Sequence, residues 1–313
     1  MFNLIVRRVA ATIPVMGLVA LIVFSLLYLA PGDPALVIAG DQATAAQIEQ
    51  IRTNLGLNEP FWYRFGSWLL GILHGDLGTS LISNVPVTTL IMQRMEPTIS
   101  LMVITLLWSV IVAVPLAVLA AWKRGQIVDR VVMSFGVMGF SIPVFVFAYC
   151  LSYIFAIQLH WVPIQGYVPL SRGVWPWLNS LILPAVALGS SYVALISRIG
   201  RAALLEILQQ DYIRTARAKG ASNTSVLFEH ALKNAAVPLV TVVGIGVGLL
   251  IGGAVVTETV FALPGLGRLT ADSILRRDYP VIQGIVLLFS FTYVLVNLAV
   301  DLLYPLFDPR IRN

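Results

Sequence analysis

Residues 101–120 read LMVITLLWSVIVAVPLAVLA, an unbroken stretch without Asp, Glu, Lys, Arg or His. A helix rises about 1.5 Å per residue, so such a stretch covers roughly 30 Å, the thickness of a bilayer's hydrocarbon core. Extended to its polar limits the run covers 98–121, and five others share its character: 9–30, 131–159, 178–197, 236–257 and 281–300. None of the six contains an ionisable side chain of those types. The expected fold class is therefore an all-α integral membrane protein with six transmembrane helices.

The rest of the composition agrees. Of 313 residues, 58% are hydrophobic and 11% charged, with a mean hydropathy of +0.88. Soluble domains carry about 25% charged residues, so a chain this apolar must be solvated largely by lipid. Cys150 is the sole cysteine; one thiol forms no internal disulfide and no cysteine zinc cluster. The formal charge of +5 is informative through its distribution, and no nucleic-acid partner is inferred from it. The first run follows Arg7 and Arg8 but is too long for a signal-peptide core, and it reads as an uncleaved span.

Basic residues set the orientation. With the N-terminus inside, the inner segments hold 13 of the 20 basic residues, including Lys123, Arg124, Arg130, Arg198 and Arg201, and the outer segments hold nine of the 15 acids. Both termini are thus expected in the cytoplasm. The long outer segment 31–97 opens on the turn cluster Pro31-Gly32-Asp33-Pro34. Thr44 and Gln47 have capping-box spacing before Ile48, Ile51 and Leu55 on one face, with Gly56 as the stop. Phe61, Trp62, Tyr63, Phe65 and Trp68 follow, either an interfacial aromatic belt or a ligand-contacting surface.

Several chemistries are missing. A phosphate-binding P-loop needs Gly-Lys-Ser/Thr, whereas Lys123, Lys219 and Lys233 precede Arg124, Gly220 and Asn234. His74, His160 and His230 are far apart, with no His-Glu-x-x-His. Gly244, Gly246 and Gly248 lack the third glycine of a dinucleotide loop in either register. Ion-coupled carriers place ionisable groups within the bilayer; here Glu258 and Asp301 sit only at span ends. A transporter so equipped must borrow its energy, although sodium held by backbone carbonyls would leave no such trace.

The inner loop 198–235 carries the functional signal. Asp211 is expected as an N-cap, Tyr212 to Lys219 as about two helical turns, and Gly220 as a left-handed stop. Ser222 or Asn223 caps a further helix through Val226, Leu227 and Leu232. Arg214 and Arg217 share a face at i, i+3 spacing. The basic helix is either an anchor to anionic lipid or a rigid lever. In the fifth run Gly244, Gly248 and Gly252 recur every four residues, allowing close approach within the chain or to a partner. Pro143 and Pro184 are either helix-bending or ordinary membrane-helix prolines.

The stretch Asp211-Tyr-Ile-Arg-Thr-Ala-Arg-Ala-Lys-Gly220, followed by His230-Ala-Leu-Lys-Asn-Ala235, closely resembles the coupling loop of ABC importer permeases, in the B-type permease of the dipeptide/oligopeptide branch. The general signature reads Glu-Ala-Ala, three residues, Gly, nine residues, then Ile-x-Leu-Pro. Here those positions hold Arg214-Thr215-Ala216, Gly220 and His230-Ala-Leu232-Lys233, departures typical of the peptide branch. Gly75-Asp76-Leu77-Gly78-Thr79-Ser80, Thr257-Glu258-Thr259-Val260-Phe261, Pro264-Gly265-Leu266-Gly267-Arg268, Arg277-Asp278-Tyr279-Pro280 and Asp308-Pro309-Arg310 extend the resemblance over nearly the whole chain.

The resemblance implies a type I importer permease fold in the bacterial inner membrane. It divides the chain into a first span with an extracytoplasmic segment (1–97), a five-helix transmembrane domain (98–305) and a cytoplasmic tail (306–313). It also implies a complex with a second homologous permease, two ATPase subunits that bind ATP and Mg, and an extracytoplasmic solute-binding protein. Asp211, Tyr212, Arg214, Thr215, Ala216, Arg217, Ala218, Lys219 and Gly220 would then form the helix that docks on an ATPase. The subunit itself would be no enzyme and would bind no cofactor or metal. An ion-coupled secondary transporter acting alone is the alternative.

Overall fold

The computed structural model describes residues 2–29, 35, 43–54 and 56–307. The turn cluster 31–34, Leu55 and the tail 308–313 lie outside the described residues. In chain order the helices are α1 (Phe2–Leu29), α2 (Ala45–Asn54), α3 (Phe61–Leu73), α4 (Val87–Trp122), α5 (Ile127–Ser141), α6 (Val144–Leu151), α7 (Val174–Ile207), α8 (Asp211–Ala218), α9 (Asn223–Ser225), α10 (Ala236–Val260), α11 (Leu266–Arg276) and α12 (Tyr279–Phe307). Two π-helical stretches continue α6 and α9, over Ser152–Gln158 and Val226–Leu232. Among the described residues the extended pairing is a single bridge between Thr79 and Pro86.

Among the described residues α1, α4, α7, α10 and α12 are long and apolar enough to cross a membrane. The sequence run 131–159 behaves differently. It breaks into two limbs, α5 and the α6 segment, inclined at 106°. Pro143 sits at the break with φ −57° and ψ 136°, and Ile142 before it is extended at φ −92° and ψ 121°. The proline ring disfavours the helical region for its predecessor, and here the chain leaves the helix. The sixth span exists only as this bent pair. Pro184, by contrast, lies within an unbroken α7, so of the two prolines it is Pro143 that accompanies a bend.

The chain divides into two compact units, one of Pro97–Gly267 and Leu295–Asn313, the other of Phe2–Glu96 and Arg268–Val294. The first unit is organised on α7, whose Leu181, Tyr192, Ile196 and Leu204 are almost wholly buried. Small residues let neighbours approach it. A Cβ on Gly139 of α5 would lie 3.1 Å from Ala194, and Ser191 donates to the Gly139 carbonyl at 2.7 Å. A Cβ on Gly246 of α10 would lie 1.7 Å from Tyr192, whose hydroxyl donates to the Val243 carbonyl. The regular Gly244/Gly248/Gly252 stripe is not the contact surface as a whole: Gly244 abuts Val300 of α12, whereas Gly252 faces open space. Close packing at Gly244, Gly246 and Gly253 is within the chain.

At one end of this unit Glu258 is fully buried. Thr98 donates to its carboxylate at 2.6 Å and accepts from the Leu266 amide at 2.7 Å. A Cβ at Gly265 would fall 2.3 Å from the same carboxylate, so the Pro264-Gly265-Leu266 turn wraps the acid only because residue 265 lacks a side chain.

The second unit has its own small core. Phe24 of α1 meets Phe61, Phe65 and Trp68 of α3 at ring-centroid distances of 5.4, 5.5 and 5.2 Å. The aromatic run is thus a helix that packs inward through three rings, while Trp62 and Tyr63 stay largely exposed. The capping box of α2 forms as expected, with the Thr44 amide donating to Gln47 Oε1 at 2.8 Å and the Gln47 amide to Thr44 Oγ1 at 3.4 Å. Gly56 takes φ +63°. Asp278 fastens the 75–80 loop, accepting from the Ser80 hydroxyl and from the Leu81 amide at 3.1 Å.

Candidate functional site

The segment expected to carry function folds as α8, a turn, and α9 with its π-helical extension. Gln210, extended at ψ 150°, precedes the first helical residue, and it makes no side-chain cap. Asp211 is therefore not the N-cap but stands inside the first turn. Its carboxylate turns to Arg214 at 3.4 Å instead of to a backbone amide. It still lies at the positive end of the helix dipole, where an acid contributes about 0.3–1 kcal/mol. Both partners of the ion pair are widely exposed, which limits its own contribution to a few tenths of a kcal/mol.

The far end follows the expected stop closely. Gly220 has φ +86°. Its amide donates to the Arg217 carbonyl at 3.0 Å, and the Ala221 amide donates to the Ala216 carbonyl at 3.1 Å. These paired bonds make a Schellman ending, which a residue with a side chain reaches only under strain. Ser222 then caps the next helix, accepting from the Ser225 amide at 3.2 Å. Val226, Leu227 and Ala231 are buried, the last two in the core of the first unit.

Two residues that sequence reasoning had not singled out fix α8 in place. Ile213 has no exposed surface and is the helix's one fully buried side chain. Burying an isoleucine contributes about 1.5–3 kcal/mol. Asn234, in the motif that follows, donates one amide to Tyr212 Oη at 3.1 Å and to the His230 carbonyl at 2.7 Å. Tyr212, Arg214, Thr215, Arg217, Ala218, Lys219 and Gly220 remain exposed and Ala216 half-buried. The outcome is a two-turn helix held from behind, with a basic polar face turned outward.

A further anchor ties the neighbouring loop to α7. Arg201 forms a two-point ion pair with Asp129 of α5, the second bond at 2.7 Å, and Asp129 also accepts from the Gly125 amide at 2.8 Å. The pair joins positions 72 residues apart; a bidentate guanidinium–carboxylate contact of this kind fixes orientation as well as distance.

Comparison with known proteins places this geometry. The family described as "Binding-protein-dependent transport system inner membrane component" matches residues 113–313, and its N-terminal companion matches residues 1–102. A probable peptide ABC transporter permease protein of Sinorhizobium fredii is 54% identical over 308 residues, covering 98% of each chain. A putative peptide transport system permease protein of Brucella abortus is 46% identical over 312 residues, covering 100% of this chain and 99% of the other. A glutathione transport system permease protein of Pectobacterium atrosepticum is 44% identical over 313 residues, again covering 100% and 99%. Among solved structures, the inward-facing MetNI methionine ABC transporter superposes with a TM-score of 0.58 at 20% identity, over 70% of this chain and 96% of that one. That likeness concerns the fold. Family match and end-to-end relatives together show that the chain belongs to the binding-protein-dependent transport system inner membrane components, as a multi-pass permease subunit of an ABC importer in the bacterial inner membrane.

Proposed function

We propose that α8 with Gly220 is the coupling helix of this permease, the surface on which an ATPase subunit acts, and that the transported solute is a dipeptide, an oligopeptide or a peptide-like compound. The family works with ATPase and substrate-binding partners. The proposed assembly is this chain, a second homologous permease, two ATPases that carry the ATP and Mg, and an extracytoplasmic solute-binding protein. The observation that supports the coupling role is the contrast at α8 between one wholly buried side chain, Ile213, and an exposed basic face. A helix stopped at Gly220 and held through Ile213 and the Asn234–Tyr212 bond moves as a body when pushed.

The solute class rests on the peptide and glutathione systems named for the relatives. The test is the reconstituted complex with Arg214–Lys219 replaced by a Gly/Ser stretch. ATP hydrolysis and solute uptake are expected to lose their proportionality, because the flexible segment cannot carry a displacement into α7 and α10. Normal uptake per ATP in that variant would sink the coupling role. Equilibrium binding of a peptide series and of glutathione to the cognate solute-binding protein tests the solute class separately.

A further inference from the structure

Beside α8 lies a cavity of about 210 Å³, opening where α4 and α7 end. Two guanidinium groups, Arg124 and Arg217, and two carboxamides, Gln209 and Asn223, line it. None of the described residues lining it is acidic. Asp129, close enough to feel the Arg124 charge, is already held at two points by Arg201. The cavity is thus a concentration of hydrogen-bond donors with net positive charge. Its other wall is apolar, from Leu205, Leu208, Val226 and Leu227.

Trp122 also lines this cavity; it is about half exposed, and Lys123 Nζ stands 5.6 Å from its ring centroid. Tryptophan and lysine at the end of a spanning helix mark the depth of lipid headgroups. This is the membrane side that the basic-residue bias assigns to the cytoplasm. Cavities for drug-sized molecules run about 300–1,000 Å³, so this one is too small for a nucleotide and suits a headgroup.

We infer that the cavity is a binding site for the anionic headgroup of an inner-leaflet phospholipid, with the phosphate as the group recognised. Arginine forks match phosphate oxygens, and the apolar wall suits the glycerol and upper acyl carbons that a free phosphate lacks. Because the lining draws on α4, α7, α8 and the α9 extension, a bound lipid ties α8 to the two longest helices of its unit. The site stands on its own; only an influence on energy transfer rests on the coupling role proposed above.

The test uses the whole complex in nanodiscs of phosphatidylcholine with a minority of phosphatidylglycerol, and reads the lipids retained by native mass spectrometry. The wild type is expected to retain phosphatidylglycerol selectively. Replacing both Arg124→Gln and Arg217→Gln is expected to weaken that retention by about thirtyfold, from roughly fivefold per cation near an anionic surface. Gln209→Glu, which leaves both arginines in place and adds a repelling charge, is expected to weaken it as well. The control Arg130→Gln with Lys233→Gln removes two cytoplasmic-side charges outside the cavity and is expected to keep the selectivity. Equal retention in the arginine variant, equal loss in the control, or no selectivity in the wild type overturns the site. Displacement of the lipid by millimolar inorganic phosphate overturns the lipid assignment in favour of a soluble anion. None of these readouts depends on ATP hydrolysis, so failure here is separable from failure of the coupling role.

Discussion

Gly246 and Tyr192 compete for one volume. The ring occupies the place of a residue-246 side chain, and the tyrosine hydroxyl closes on the Val243 carbonyl one turn away. Gly246→Ala must therefore displace a buried ring and break its hydrogen bond. Overpacking of this sort costs about 1–3 kcal/mol, and the expected readout is a lowered unfolding temperature of the purified subunit. Gly252→Ala, on the same helix with nothing within 4 Å of the added methyl, is expected to hold or raise that temperature, since alanine favours a helix over glycine by about 1 kcal/mol. The two glycines look alike in sequence, and Gly252 even belongs to the regular four-residue stripe that Gly246 interrupts. Only the position of Tyr192, 54 residues earlier in the chain, separates them. By contrast, residues whose role is local were readable directly: the Thr44–Gln47 cap and the positive φ at Gly56 and Gly220 follow from spacing and residue type. Asp211 misled because Gln210 beside it takes the extended position, and a carboxylate in the first turn serves the dipole about as well as a cap does.

At the scale of elements, α8 is short enough that its position depends on very few contacts. Eight residues form no stable helix alone in water, so Ile213 and the Asn234–Tyr212 bond hold it. Ile213→Ala is expected to remove about 2–5 kcal/mol of packing, and Asn234→Ala about 1 kcal/mol. With α8 as the coupling element, uptake per ATP hydrolysed in the reconstituted complex should fall more in the first variant than in the second, while assembly of the complex persists in both. Neither residue announces itself: an isoleucine between Tyr212 and Arg214 is one apolar residue among many, and its burial comes from the tertiary setting. Longer elements were more legible. Runs 98–121, 178–197, 236–257 and 281–300 each lie within one continuous helix, as do the described residues 9–29 of the first run, because unbroken apolarity over about 20 residues has few other solutions. Run 131–159 is equally apolar, yet it splits at Pro143 and ends in π-helical turns. Hydropathy counts carbon surface and is blind to the backbone restriction that a proline imposes on its predecessor.

For the whole molecule the question is where the work of transport enters. A proton-driven carrier needs a group inside the membrane that changes state with the driving ion, and Glu258, the wholly buried acid at the end of α10, is the natural candidate. Its surroundings point elsewhere. The carboxylate accepts from Thr98 and is enclosed by the Gly265 turn, so it is fixed in place at the end of α10. Replacing it should loosen that turn without changing the energy source. The complex carrying Glu258→Gln is expected to unfold at a lower temperature, since the enclosed carboxyl is hydrogen-bonded to Thr98 and such a bond contributes about 0.5–1.5 kcal/mol. Its remaining uptake should still follow ATP and stay indifferent to a protonophore. In liposomes the permease chain alone should neither hydrolyse ATP nor move solute under a proton or sodium gradient, whereas ATPase and solute-binding partners together should restore uptake. Gradient-driven flux through the lone chain, abolished by Glu258→Gln, would assign the energy step to this polypeptide and leave α8 without a motor to serve.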